Sequence, residues 1–233
     1  LIDTAEMYAD GKAENIAGNA AKPFARESLY ICDKVYPKNA DRKHIYSSVE
    51  RSLKLLGTDY IDLYLLHWRE DADLAEVAYC MEDLKDRGWI RRWGVSNFDV
   101  DDMEDLWKVP DGNKCTVNQG LYLGTRGIEY DLLDWQREKG VPFMAYSPVG
   151  QAGALTTQDG VSKSVLMSDP HVKAVADRHG ISIVQLLLAF VLRYDDMVAI
   201  PKAVSFDHVE ENAQAADIHL TEEDLEELSV SFP

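Results

Sequence analysis

Ile61-Asp62-Leu63-Tyr64-Leu65-Leu66-His67 is a short apolar run that closes on an ionisable side chain. Leu29-Tyr30-Ile31-Cys32-Asp33-Lys34 ends in the same way, and so does Leu1-Ile2-Asp3. Strand-like runs recur at residues 93–96, 116–119, 143–146 and 198–201. They close on Ser96-Asn97, Gln119, Tyr146-Ser147 and Lys202. Amphipathic segments lie between the runs. Ile45, Val49, Leu53 and Leu56 form one apolar helix face ended by Gly57, and Val77, Met81 and Leu84 repeat the spacing ahead of Gly88. Asp99-Val100-Asp101-Asp102 suits a helix start, with carboxylates at the positive end of the dipole. Val172, Val175 and Ala176 precede His179-Gly180, residues 183–192 form an apolar helix, and Thr221 with Asp224 opens a last helix that runs to about Ser229.

Alternation of strands and helices implies right-handed crossovers and a parallel sheet covered by helices. A doubly wound sheet concentrates its site at one crevice, whereas a closed barrel uses the ends of all its strands. Polar residues end nearly every run here, so the expected fold class is α/β, a (β/α)8 TIM barrel formed by residues 1–233 as one domain. Seven strands are visible, and the fold typically takes ~250 residues. One strand and one helix, about 40 residues, are therefore expected to precede Leu1.

The 233 residues are 46% hydrophobic, enough for one sizeable core. No apolar stretch approaches the ~20 residues of a membrane span. A net charge of −17 argues against nucleic acid or an anionic membrane as partner, although an anionic cofactor needs only a local positive pocket. Cys32, Cys80 and Cys115 are far apart and lack metal-ligand spacing, which suits reduced, buried thiols in a cytoplasmic protein.

Asp3, Tyr8, Lys34 and His67 are the candidate catalytic residues. A tyrosine with a pKa near ~10 is a poor proton donor at neutral pH, and an ammonium such as Lys34 is expected to lower that pKa. Asp3 would fix the lysine through an ion pair, and His67 would orient a substrate oxygen or relay a proton. Together they suggest proton donation to a carbonyl. Taken singly, each has a plain reading as a packing residue or a solvated charge. Other patterns carry less. Gly94-Val95-Ser96-Asn97 lacks the glycines of a phosphate loop, and Ser147 lacks those of a nucleophile elbow. Asp71, Asp73 and Glu76 read as a solvated helix start rather than a metal site. Glu222, Glu223, Asp224, Glu226 and Glu227 read as the exposed face of a helix.

At these residues the chain closely resembles the aldo-keto reductases, over essentially its whole length. Leu1-Ile2-Asp3-Thr4-Ala5 with Tyr8, Glu14 and Gly18 looks like the family's first signature. Met81 through Gly94-Val95-Ser96-Asn97-Phe98 looks like the second, and Ile200-Pro201-Lys202 with Glu211-Asn212 like the third. Lys34 and His67 stand at the places of the other two tetrad members. The wording of residues 3–10, 91–97, 126–133 and 144–153 is similar to a bacterial branch of methylglyoxal and 2,5-diketo-D-gluconate reductases.

The resemblance implies a barrel binding NADPH, with NADH as an alternative, and hydride transfer to a small aldehyde or ketone. Tyr8 would protonate the alkoxide, assisted by Lys34, Asp3 and His67. Ser96, Asn97 and Gln119 would hydrogen-bond the nicotinamide carboxamide, Tyr146 would stack on its ring, and Ser147 and Val149 would line the pyrophosphate. Lys202, Ser205, His208, Glu211 and Asn212 would hold the adenosine and 2′-phosphate. Ala203 and His208 depart from the family's usual Ser and Arg, which removes a hydroxyl donor and replaces a planar charged fork by a smaller donor. A narrower preference for NADPH is expected. The family also makes a monomer the expected state. Two other readings stand beside the enzyme: a catalytically silent barrel serving as a binding or regulatory subunit, like the related potassium-channel β-subunits, and an inactive fragment. The complete tetrad argues against the first.

Overall fold

The computed structural model describes residues 1–122, 128–150 and 163–231. Parts of the 126–133 and 144–153 stretches fall outside the described residues. Strands β1 (Ile2–Asp3), β2 (Ile31–Val35), β3 (Ile61–Leu66), β4 (Ile90–Ser96), β5 (Asn118–Leu121), β6 (Phe143–Tyr146) and β7 (Met197–Ile200) follow one another in the sheet in chain order. A doubly wound sheet would reverse that order at a switch point. Unreversed parallel order with helical crossovers is that of the (β/α)8 barrel class. The chain divides into two compact units, Leu1–Gln119 and Gly120–Pro233.

In the first unit every pairing from β1 to β5 is parallel, and the register sets the heights of the polar strand ends. Asp3 is level with Cys32, Lys34 with Leu65, Leu66 with Val95, and Ser96 with Gln119. All five residues of β2 are buried, because helices cover one face of a parallel sheet and side chains fill the other. Helix α1 (Lys12–Ala21) follows β1, α2 (Ile45–Leu56) follows β2, α3 (Leu74–Asp86) follows β3, and α4 (Val100–Lys108) follows β4. The apolar face of α2 buries Ile45, Val49 and Leu56, and Gly57 ends the helix in the left-handed region at φ 66°. Asp73 accepts from the amides of Ala75 and Glu76 as the N-cap of α3, which accounts for that acidic stretch. Asp99 and Asp102 form a reciprocal capping box at the start of α4.

The second unit pairs β6 with β7, Phe143 level with Met197 and Tyr146 with Ile200. Its described helices are α5 (Ile128–Lys139), α6 (Lys163–Ser168), α7 (Pro170–His179), α8 (Ile183–Val191), α9 (Phe206–Gln214) and α10 (Glu222–Leu228). Leu166, Val172, Val175, Leu186, Leu187, Phe190 and Leu228 close its core. The acidic tail does not behave as a uniformly exposed face. Asp224 is fully buried, capping Thr221 and accepting from Arg178 at 2.5 Å and His179 at 2.8 Å. Burial opposes its charge, but the bonds from Thr221, His179 and Arg178 outweigh that and hold it well below the usual carboxylate range.

Strand ends differ from the pattern by a few residues. β4 begins at Ile90 rather than Trp93, because the exposed Arg91 and Arg92 hide its first turn of pairing from an apolar count. The three cysteines are free and buried. No single helix among the described residues is long and apolar enough to cross a membrane.

Helix α1 is the element that apolar spacing shows least, since most of its residues are small or polar. It is held by close approach instead: a Cβ at Gly18 would lie 2.5 Å from the Leu56 carbonyl oxygen at the end of α2. Gly18→Ala should therefore destabilise the protein by about 1–3 kcal/mol in urea unfolding, although alanine is the better helix former by about 1 kcal/mol. An unchanged or raised midpoint would contradict this packing.

Candidate active site

In the first unit the ends of β1, β2, β3 and β5 bring Asp3, Lys34, His67 and Gln119 together. Lys34 is fully buried, and its Nζ donates to Asp3 Oδ1 at 2.5 Å and to the Thr4 carbonyl at 2.8 Å. Gln119 Nε2 donates to the other oxygen, Asp3 Oδ2, at 2.8 Å. The chain leaving β1 keeps following β2, with Glu6 N donating to Lys34 O at 3.2 Å, and then turns so that Tyr8 N bonds to Ala5 O. This places the Tyr8 ring 5.3 Å from Lys34 Nζ, with its edge to the His67 ring at 5.6 Å between centroids. Tyr8 remains 39% exposed, so the group stands open to a ligand.

Two further contacts set the walls. Glu6 Oε1 accepts from Tyr36 N at 2.6 Å and Asn39 Nδ2 at 3.0 Å, clamping the Tyr8 loop to the segment after β2. Trp68 packs edge-on against both His67 and Tyr36. In the sequence this clamp shows only as a carboxylate two residues before Tyr8.

The electrostatics differ from the expectation for the tyrosine. Burial is the largest influence on Tyr8 and raises its pKa; Lys34 lowers it by charge and hydrogen bonding, Asp3 raises it, and the net direction is upward. The ammonium does act as expected, but Asp3 sits on the same lysine and cancels much of its field. Tyr8 is thus a phenol that keeps its proton at neutral pH. Burial also opposes the Lys34 ammonium, yet Asp3, Cys32 and Tyr8 together raise its pKa. His67 is pushed down to about 4 by burial first and the Lys34 charge second, against a smaller opposing effect of Asp3. The ring is therefore neutral at physiological pH, with one donor and one acceptor nitrogen.

Ser96 and Asn97 follow at the end of β4. Asn97 takes a left-handed backbone, φ 61°, which asparagine tolerates better than most residues. Its Nδ2 donates to His67 O at 3.0 Å and Ser96 Oγ at 3.1 Å, while its backbone N donates to Gln119 O. Ser96 and Gln119 are buried beside it.

In the second unit, Tyr146 ends β6, and Ser147 turns the chain with φ 49°. Val149, Lys202, His208, Glu211 and Asn212 line one cavity of about 230 Å³, completed by Met167, Ser182, Ile183, Val184 and Pro201. Ser205 is the N-cap of α9, its hydroxyl accepting from His208 N at 3.3 Å. A lysine, a histidine, an asparagine amide and apolar walls suit a phosphorylated nucleoside better than a neutral apolar ligand. Ser182, the N-cap of α8, and Ile183 and Val184 of its first turn carry no sign of a ligand in the sequence, because they read as an ordinary apolar helix start.

The family model described as the aldo/keto reductase family matches residues 1–230. The methylglyoxal reductase YeaE of Escherichia coli (strain K12) is 46% identical over 234 residues, covering 100% of this chain and 80% of that protein. The glyoxal reductase of Bacillus subtilis (strain 168) is 31% identical, covering 97% of this chain and 76% of that protein. A crystal structure of an aldo/keto reductase from Klebsiella pneumoniae in complex with NADP and acetate superposes with a TM-score of 0.92 at 47% identity, over 100% of this chain and 80% of that one.

The depressed His67 pKa has a definite sign. Between its folded value of about 4 and the unfolded value of ~6.5, the unfolded chain binds a proton that the native chain lacks. The stability this group contributes is present above that window and is lost as pH falls through it. Imidazole nitrogen shifts measured by NMR should show His67 neutral at pH 6 and titrating near pH 4. A midpoint at or above the ordinary value would contradict the assignment.

Proposed function

Since the chain belongs to the aldo/keto reductase family of nicotinamide-dependent oxidoreductases, we propose that it reduces small aldehydes and ketones, with methylglyoxal and diketo sugar acids as the substrate class. Tyr8 is the proton donor of this reading. The observation that carries it is the buried Asp3–Lys34 pair, 2.5 Å between Oδ1 and Nζ, set against the ring of a half-exposed tyrosine.

Lys202, His208, Asn212 and the capped start of α9 are the donors suited to the 2′-phosphate and adenosine of NADPH, with Glu211 for the adenosine. Ser147 and Val149 are assigned to the pyrophosphate. Tyr146 is assigned to stacking on the nicotinamide, and Ser96, Asn97 and Gln119 to its carboxamide. Bound, the cofactor supplies the hydride. Both compact units belong to one catalytic domain in this reading.

The protein's own residues handle the proton. Tyr8 Oη holds it at neutral pH, and an alkoxide is a far stronger base than a phenolate, so transfer to the substrate oxygen runs downhill. The negative charge then rests on the phenolate, where the Lys34 ammonium, already oriented by Asp3, stabilises it without reorganisation. Gln119 keeps Asp3 from rotating away. Neutral His67 offers a nitrogen to the substrate oxygen and sets its direction toward Tyr8. Solvent reaches the exposed edge of Tyr8 and restores the proton.

Turnover of methylglyoxal, followed by loss of reduced-nicotinamide absorbance, should fall by at least ~10²-fold in Tyr8→Phe, the scale of a general acid. Wild-type turnover in that variant would remove the assigned role, and no turnover in the wild type would favour a silent binding subunit. His208→Arg should tighten NADPH by about tenfold or more and leave NADH unchanged, because a charge-assisted bond to phosphate contributes ~1.5–3 kcal/mol. Equal effects on both cofactors would detach His208 from the 2′-phosphate.

A further inference from the structure

Behind β2, on the side away from Lys34, lies a second group of ionisable residues that the proposed chemistry does not use. Side chains alternate along a strand, so Asp33 points toward the helices while Lys34 points to the site. Asp33 is level with Tyr64 of β3. Glu14 joins from the first turn of α1 and Ser52 from α2, and all four side chains are fully buried. The Glu14 and Asp33 carboxyls face one another beside the Ser52 hydroxyl. The Ser52 hydroxyl favours the charged form of both carboxyls and the Lys34 amide that of Asp33, but burial outweighs them, and among the described residues none of the four oxygens has a partner at ordinary hydrogen-bond geometry.

The charges around them do not supply the missing donors. Lys34 is committed to Asp3 and Thr4. Arg51 of α2 acts on Glu14, but it is half-exposed and donates to the Asp10 carbonyl. Glu6, in the Tyr8 loop, adds another carboxylate, held by Tyr36 and Asn39. Tyr64 is kept neutral by burial and the neighbouring carboxylates. Two carboxyls buried side by side do not both ionise readily: one keeps a proton and through it donates a hydrogen bond to the other.

We propose that Glu14 and Asp33 share one proton and form a latch between α1 and β2 that positions the Tyr8 loop against Lys34. The latch joins the residue just before Lys34 to the helix that continues the Tyr8 loop, where Ala13 N donates to the Tyr8 carbonyl at 3.4 Å. Burial and the Glu14 charge push Asp33 up to about 8, and Arg51 favours the negative charge on the Glu14 side. Loss of the proton places two like charges in the pocket and drives α1 away from β2. The effect on turnover rests on Tyr8 as the proton donor; the proton itself does not.

The test compares urea unfolding of the wild type and Asp33→Asn from pH 5 to pH 9. Between the unfolded carboxyl value of ~4 and about 8, the native chain holds a proton that the unfolded chain lacks. Wild-type stability therefore falls as pH rises through that window and levels off above it. The amide introduced by Asp33→Asn keeps a donor and removes the titrating proton. The ratio of unfolding constants, wild type to variant, should climb by up to about tenfold per pH unit, and at least ~100-fold between pH 5 and pH 8. A ratio independent of pH overturns the shared proton. Glu14→Gln should remove the same slope. Should neither variant fold, the infrared band of a protonated carboxyl in the wild type decides: present at pH 7 and lost above pH 9 on this account, absent at pH 7 if it is wrong. The wild type should also lose kcat above pH 8 and Asp33→Asn should not, and identical pH profiles would overturn the positioning role. If Tyr8→Phe kept full turnover while the stability slope remained, the proton-donor assignment would fail and the shared proton would stand.

Discussion

A lysine ammonium with no solvent exposure survives only beside a fixed carboxylate, and much of the first unit follows from meeting that condition at Lys34. The carboxylate is Asp3, at the end of a two-residue strand. Such a strand has little stability of its own, so its register against β2 and the bond from Gln119 of β5 hold Asp3 in place. Removing one partner of a buried pair generally costs ~3–5 kcal/mol, because the other charge is left stranded. Strand register, the Tyr8 loop and the end of β5 are thus tied to one ion pair.

Around that pair the protonation states are sorted by environment. Lys34 and Asp3 carry opposite charges, Tyr8 stays a phenol, and His67 stays a neutral imidazole. The site itself is close to electrically balanced before substrate enters. In the proposed mechanism, charge that develops on a substrate oxygen meets groups already oriented toward it. The acid pair behind β2 applies the same physics where no ligand reaches: burial without a counter-ion retains a proton.

The strand ends and the helix caps were legible from sequence because each depends on local chemistry. Asp3, Lys34 and His67 stand out as ionisable residues closing apolar runs, and Thr221 with Asp224, or Gly57 after Leu56, mark helix ends by short-range bonds. What was not legible depends on tertiary neighbours. Helix α1 is held by the contact of Gly18 with the Leu56 carbonyl rather than by apolar spacing. Asp224 sits in a run of acids but is buried because Arg178 and His179, far back in the chain, come to meet it. The direction of the Tyr8 shift needed the burial of the ring and the position of Asp3, not only the presence of a lysine. Asp33 reads as one more residue of a strand until Glu14 is seen beside it.

In the proposed mechanism Lys34, oriented by Asp3, acts on the reaction through the proton of Tyr8. A double-mutant cycle on kcat with Tyr8→Phe and Lys34→Met measures that coupling directly. Removing Lys34 should cost little more once the phenol is gone, so that the double variant turns over about as slowly as Tyr8→Phe alone. Additive losses in the two single variants would show that Lys34 acts independently of Tyr8 and would contradict the account.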